Sequence, residues 1–290
     1  MKFCPMNLAS PTPCSFVKIP GFVRDFPSVG VRKCVDCGIV THEEDLSGNI
    51  NYVDGSMHSW AAGHGENAPK QSQDLTRRIH AISDFCRREK LQKVLDFGCG
   101  DGNFVEEISK NFETVGIEPE IAARKAAINR GLQIFENSKS LPIEHSTFDL
   151  VSLFHVIEHL YEPLEVLGEI NRNLNPGGYL VIETPNSNDA LLTVYESSAF
   201  QNWTYWSHHP YLYSSKSLGG VVTQAGFEVI HNGGIQRYSL ANHLHWLARS
   251  KPGGHEVWKN ICSDETSRTY DNDRVNSGTS DTLWLIARKN

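Results

Sequence analysis

Apolar positions along this chain switch between two periods. Leu75, Ile79, Ile82 and Phe85 recur at helical spacing, and Lys90 closes that stretch. Beyond it, short apolar runs at 93–97, 114–118, 133–135, 150–154, 179–183, 228–231 and 282–287 predict strands. Residues 103–111, 119–130, 158–174 and 215–225 predict the helices between them. Such alternation implies an α/β fold, a seven-stranded, mostly parallel, doubly wound sheet with helices on both faces. The last strand follows its predecessor without a helical crossover, which suits an antiparallel edge.

Three stretches break the pattern. Residues 1–45 are rich in Pro and Cys, with extended patches at 31–35 and 38–41, and read as a small separate module. Residues 46–90 form a connector, polar and Gly-containing up to 70, that ends in the N-terminal helix. The main domain occupies 91–290, and within it 238–280 does not alternate. Connections this long are functional or disordered in compact domains. This one leaves the C-terminal end of the sixth strand, the edge where ligands bind in open α/β sheets, and so reads as an active-site cover. A surface insertion with a mobile tail is the alternative. No repeat or low-complexity tract interrupts the chain.

The richest segment is Val94-Leu-Asp96-Phe-Gly98-Cys99-Gly100-Asp-Gly102-Asn103-Phe. A strand runs into alternating glycines and then a helix start, so the backbone can pass close beneath a ligand. A dinucleotide fingerprint needs its third glycine where Asn103 stands. The next strand ends in Glu118-Pro119, about 20 residues on, where a carboxylate can accept from both ribose hydroxyls of an adenosine cofactor.

This constellation resembles the class I S-adenosylmethionine (SAM)-dependent methyltransferases. The resemblance implies their Rossmann-like fold, with SAM as cofactor and S-adenosylhomocysteine (SAH) as product. It places Asp96, Gly98, Cys99, Gly100, Gly102, Glu118, Pro119, Asn137, Ser138, Phe154 and His155 against the cofactor. Asn137 stands where the family usually has Asp, and its amide carbonyl still offers an acceptor to adenine. His155, at the fourth strand end, is expected beside the methyl sulfonium. Glu158 and His159 also suit a helix start. Some quinone-ring O-methyltransferases hold a divalent metal with acids here, but His155 replaces one of them, which argues against a metal. Pro176–Asn186 matches the family's turn into the fifth strand.

Downstream, Trp203-Thr-Tyr205-Trp206-Ser-His208-His209-Pro-Tyr211-Leu-Tyr213 resembles a subfamily that includes many sugar methyltransferases. Its histidine aligns with His209, a general base of near-neutral pKa for an acceptor hydroxyl, with His208 and His155 as further candidates. The aromatic residues suit stacking on sugar faces. His243, His245 and His255 in the cover are candidates to reach substrate, although His243 and His245 at i and i+2 do not share a helix face. Arg237 can grip an anionic group. The expected reaction is methyl transfer to a hydroxyl of a small polar acceptor, a sugar or nucleotide-linked sugar in surface glycan synthesis. Alternatives are an O-methyltransferase of an aromatic or quinone-like ring and a SAM-binding module without catalysis.

Composition bears on partners. A net charge of −7 without a basic block argues against nucleic acid. No apolar run reaches the roughly 18–20 residues that span a bilayer. Pro5, Asn7, Pro11 and Pro13 interrupt any signal-peptide core, so the expected location is cytoplasmic. Nothing in the pattern speaks to oligomeric state.

The 7 cysteines are odd in number, and Cys4, Cys14, Cys34 and Cys37 cluster near the start. Clustering of this kind points to metal rather than disulfides in a reducing compartment. Cys34-x2-Cys37-Gly38 has the spacing of a zinc knuckle. The resembled subfamily often begins with a zinc module of two such pairs. Here the first pair is stretched to Cys4-x9-Cys14, leaving His42 as a substitute ligand and reduced, unliganded thiols as the alternative.

Overall fold

Eleven strands carry the described chain: β1 Phe16–Val23, β2 Phe26–Cys34, β3 Val40–His42, β4 Lys93–Phe97, β5 Glu113–Ile117, β6 Ile134–Phe135, β7 Phe148–Phe154, β8 Leu174–Pro185, β9 Tyr211–Leu212, β10 Phe227–Ile235 and β11 Thr282–Lys289. The structure, a computed structural model, describes residues 14–49, 68–142 and 147–290, without the side chains of 49 and 68–72. Cys4 and most of the 46–70 connector lie outside the described residues. The α-helices are α1 Ala68–Glu89, α2 Asn103–Ile108, α3 Ile121–Asn129, α4 Pro163–Asn173, α5 Ala190–Thr193, α6 Ser198–Thr204, α7 Ser215–Gln224, α8 Leu240–Arg249, α9 Gly254–Val257 and α10 Asp264–Asn276.

The main sheet has 7 strands in the order β10-β11-β8-β7-β4-β5-β6. β4 pairs in parallel with β5 on one side and β7 on the other, so the strand order reverses at β4 and opens a crevice at the strand C-termini. β11 is antiparallel to both β8 and β10. It is therefore an internal strand, and β10 takes the edge, contrary to the sequence expectation. Leu283, Leu285 and Ala287 are buried, as suits a strand with a neighbour on each side.

Two apolar layers close the sheet. Ile82, Phe85 and Cys86 of α1 pack with Val94, Phe104, Val181 and Trp284. On the other face Leu167 and Ile170 of α4 and Leu218, Val221 and Val222 of α7 pack against Leu95, Leu153 and Leu285. The expected helix 158–174 is split into a 3-10 turn, Ile157–His159, and α4. Pro163 explains the break: it suits a first helical turn, where its missing N–H costs nothing, but not an interior.

A second sheet, β1-β2-β3-β9, is antiparallel and includes β9 from the main domain. Cys34, Cys37 and Ile39 join the core cluster that holds Tyr213 and Leu218. Ser187 Oγ donates to Gly38 O at 3.0 Å, and Asp25 accepts from the amide and hydroxyl of Ser207. The N-terminal sheet is thus packed onto the main domain near the strand C-termini. The 238–280 stretch forms α8, α9 and α10. No helix among the described residues is long and apolar enough to cross a membrane.

Candidate active site

The glycine loop joins β4 to α2 and is pinned to β5. Gly98 N and Cys99 N both donate to Ile117 O, at 2.8 and 3.0 Å. Gly98 has φ +78°, and a Cβ there would lie 2.5 Å from Val156 Cγ2. The residue after His155 therefore sits directly against the loop. Gly100, at φ +57°, faces open space, with nothing within 4 Å of a Cβ built on it. This is the cradle a ligand would fill.

Glu118 anchors the loop from β5: its Oε2 accepts from Gly100 N and its Oε1 from Glu120 N, both at 2.8 Å. The carbonyls of Glu118 and Pro119 accept from Arg124. Asp96 is buried and accepts from Ser152 Oγ at 2.8 Å. Burial pushes its pKa up to about 7, against the pull of that hydrogen bond and of Arg78. Cys99 turns its side chain down toward Gly116 in the sheet, and its contribution at the loop surface is backbone. Asn137 Oδ1 caps the turn Ser138–Ser140 by accepting from Ser140 N at 3.2 Å. Phe154 meets Phe104 edge-on and stacks on Trp284, and Arg78 lies 4.8 Å over its ring.

His155 adopts φ +56°, a left-handed conformation that costs a non-glycine residue about 1–3 kcal/mol. Its surroundings hold it there. The backbone N donates to Glu183 O at 2.8 Å, Nδ1 lies 3.1 Å from Glu158 Oε1, and Arg237 Nη1 lies 2.9 Å from Nε2. Nε2 also lies 3.2 Å from Glu183 Oε1, so the ring is held between Glu158 on one side and the Arg237–Glu183 pair on the other. Glu158 is fully buried. Burial raises its pKa, but the contact with His155 and the nearby histidines outweigh that and lower it to about 2.

A cavity of about 370 Å³ opens at the same edge, within the size range of small-molecule sites. His155, Glu158, His159 and His209 line one part, and Trp203, Trp206, Phe200 and Trp246 form an aromatic wall. His209 Nδ1 is buried without a hydrogen-bond partner among the described residues. Burial and the neighbouring His159 hold its pKa well below the usual histidine value. His208 is not among the lining residues: its ring stacks on Trp206, and its carbonyl accepts from His159 Nδ1 at 2.8 Å. The cover segment supplies Tyr238, Asn242, His243, Trp246 and Pro252. His245 turns to Lys251 O instead.

A family model described as a methyltransferase domain matches residues 66–232. The chain belongs to that family. Its fold is that of the class I SAM-dependent methyltransferases. One relative, the ubiquinone biosynthesis O-methyltransferase of Aliivibrio fischeri, is 33% identical over 107 residues, covering 33% of this chain and 45% of the relative. The chain thus spans about half the length of the curated relatives it matches. A chain of the complex between the Haloferax volcanii Trm112 methyltransferase activator and a methyltransferase aligns over 80% of this chain and 97% of that one, at 17% identity and TM-score 0.53. The plantazolicin methyltransferase BpumL, solved with SAH, aligns over 80% and 90% at 15% identity and TM-score 0.52. At these identities the likeness shows fold alone.

Among the described residues, two clusters of metal-ligating atoms stand out. Cys14, Cys34 and Asp36 bring one ligand atom each within 4.8 Å of one another, and Glu158, His159 and His209 do the same at the cavity. Cys37 is buried beside the first cluster, and His42 Nε2 is engaged by Trp206 O at 3.0 Å. Several lining residues carried no sequence signal. Arg24 arrives from the β1–β2 turn, Asp189 from the N-cap of the short α5 and Phe200 from the short α6. Of the tyrosines expected at the acceptor, Tyr211 and Tyr213 are buried in the main core, and Tyr205 is buried with Val23, Val29 and Val31 under the N-terminal sheet.

Proposed function

We propose that this methyltransferase moves the methyl group of SAM to a hydroxyl of a small polar acceptor, a sugar or nucleotide-linked sugar, leaving SAH. The observation that carries this reading is the cavity that joins His209 and His155, next to the glycine loop, with an aromatic wall suited to ring faces. When bound, SAM supplies an activated methyl on a sulfonium. The loop amides, Glu118 and Phe154 hold the nucleoside, and the 238–280 segment keeps water from the reacting atoms. His209 takes the acceptor's proton. Glu158, held ionised, lies within 4.8 Å and stabilises the imidazolium that forms. Holding both reactants in line can remove as much as about 7–11 kcal/mol of barrier.

A second reading, O-methylation of an aromatic or quinone-like ring, draws on the named Aliivibrio relative and on the four aromatic rings of the wall. Purified protein, labelled SAM and a fractionated extract of cells lacking this chain separate the two. Label in nucleotide-sugar or glycan fractions supports the first; label in the lipid phase replaces it with the second. SAM binding without label in any fraction would leave a binding module.

We also propose that Cys14, Cys34 and Cys37 hold a structural zinc, with Cys4 as fourth ligand and the Asp36 carboxylate alongside. Thiolates are the donors tetrahedral zinc prefers. Elemental analysis is expected to find one zinc per chain, and Cys34→Ser to lose it together with thermal stability. Zinc-free protein that melts at the same temperature would overturn the assignment.

A further inference from the structure

Helix α8 borders a second pocket, of about 570 Å³, beside the acceptor cavity, and Pro252 lines both. His245 and Arg249, one helical turn apart on α8, line it together with Lys251 and Trp258. The loop that shapes it is fixed by its own backbone. Gly253 N and Gly254 N donate to Asn242 Oδ1, both at 3.2 Å, and a Cβ added to Gly254 would lie 2.4 Å from that of His245. The start of α9 is therefore pressed against α8, and the pocket is built before any ligand arrives.

His245 is 4% exposed. Its Nδ1 lies 2.9 Å from Lys251 O, and because a carbonyl can only accept, Nδ1 carries the proton and Nε2 is left as an acceptor. Nε2 has no hydrogen-bond partner among the described residues, and the Trp258 ring meets the imidazole edge-on at 4.9 Å. Polar atoms of buried side chains are matched by protein, water or ligand in native proteins. The side chains of Arg249 and Lys251 make no hydrogen bond or ion pair among the described residues, and Glu256, the acid on this pocket, pairs with neither.

We propose that the pocket formed by His245, Arg249, Lys251 and Trp258 is a binding site for a small molecule that carries a phosphate group. The donor set selects phosphate. Two cations suit an anion, and the ring nitrogen adds an acceptor that asks the same ligand for a proton. A phosphate monoester, with a second pKa of about 6, can share its remaining proton with Nε2 while its other oxygens meet Arg249 and Lys251. Sulfate has the same shape but no proton to share, and a carboxylate offers two oxygens in one plane. The half-buried Trp258 gives the body of the ligand an apolar neighbour. This site lies on the cover, apart from the residues given to methyl transfer, and does not depend on the identity of the acceptor.

The test is calorimetry on the full chain with SAH bound, at about pH 6, where a monoester is half protonated. The probes are phenyl phosphate, inorganic phosphate and sulfate. Phenyl phosphate is expected to bind at one per chain, and both phosphates to bind more tightly than sulfate. Arg249→Gln should weaken phosphate by about tenfold or more at unchanged SAH affinity. His245→Asn keeps a donor for Lys251 O but lacks Nε2, so it should erase the preference for phosphate over sulfate. In wild type, phosphate should also move the nitrogen NMR signal of His245 Nε2 toward its protonated position, a readout that needs no variant to fold. Equal affinity for phosphate and sulfate in wild type, phosphate affinity unchanged in Arg249→Gln, or a His245 signal that phosphate leaves in place would overturn the site. None of these readouts depends on turnover, so the methyl-transfer reading fails separately, through the label experiment.

Discussion

Replacing His209 with Ala is expected to lower kcat about 10²–10⁴-fold, the usual contribution of a positioned base, with SAH affinity unchanged. His209 lines the cavity, its Nδ1 is buried without a hydrogen-bond partner among the described residues, and burial keeps it unprotonated at neutral pH. A base works in its unprotonated form. Because its pKa lies well below the usual 6.5, activity should be flat from neutral pH downward and fall only below 6.5. Glu158 is the group that pulls this pKa up, so Glu158→Gln should move the acidic limb lower still. His208→Ala, altering a ring that stacks on Trp206 and does not line the cavity, should change kcat little. An acidic limb at 6.5 or above, or full turnover by His209→Ala, would remove His209 from the base role.

The strand–loop–helix unit from β4 to α2 was legible because it is local. One apolar run, three glycines and an acid on the next strand occupy fixed offsets, and the backbone conformations they impose need no distant partner. The cavity was legible only in part. His209, Trp203 and Trp206 stand in one continuous segment, but Tyr205, Tyr211 and Tyr213 alternate into the cores, which no single-strand pattern distinguishes from facing a ligand. Arg24, Asp74 and Arg77 were invisible for another reason. Their roles come from tertiary pairing with Trp206, Arg237 and Glu183, more than 100 residues away in each case. Helix α10 buries no side chain, so it left no apolar period to read.

Glu183 is the residue whose loss should most damage the fold. It is fully buried at the end of β8. Its Oε2 accepts from Arg77 Nη2 at 2.8 Å and Arg78 Nε at 3.2 Å, and its Oε1 from Arg78 Nη2 at 2.8 Å. Burial alone would raise its pKa. His155 and Arg78 together outweigh that and hold it well below the ordinary 4.5. Glu183→Ala would leave two guanidinium groups facing each other around an empty carboxylate site, at a cost of about 3–5 kcal/mol in denaturant unfolding. It would also remove the carboxylate that lies 3.2 Å from His155 Nε2 and helps to hold that ring, so kcat should fall along with stability. Linkage sets the pH dependence. A carboxylate with a depressed folded pKa stabilises fully above its unfolded value, near 4.5, and loses that contribution as pH falls toward the folded value. The stability gap between wild type and Glu183→Ala should therefore narrow on acidification below about 4.5. Removing the charges as a set, in Glu183→Leu with Arg77→Leu and Arg78→Met, should recover much of the stability but not the activity, because paired burial costs little while a lone buried charge costs a great deal. If Glu183→Ala unfolded no more easily than wild type at pH 7, the cluster would be a consequence of the fold rather than one of the interactions that hold β7, β8 and α1 around the site.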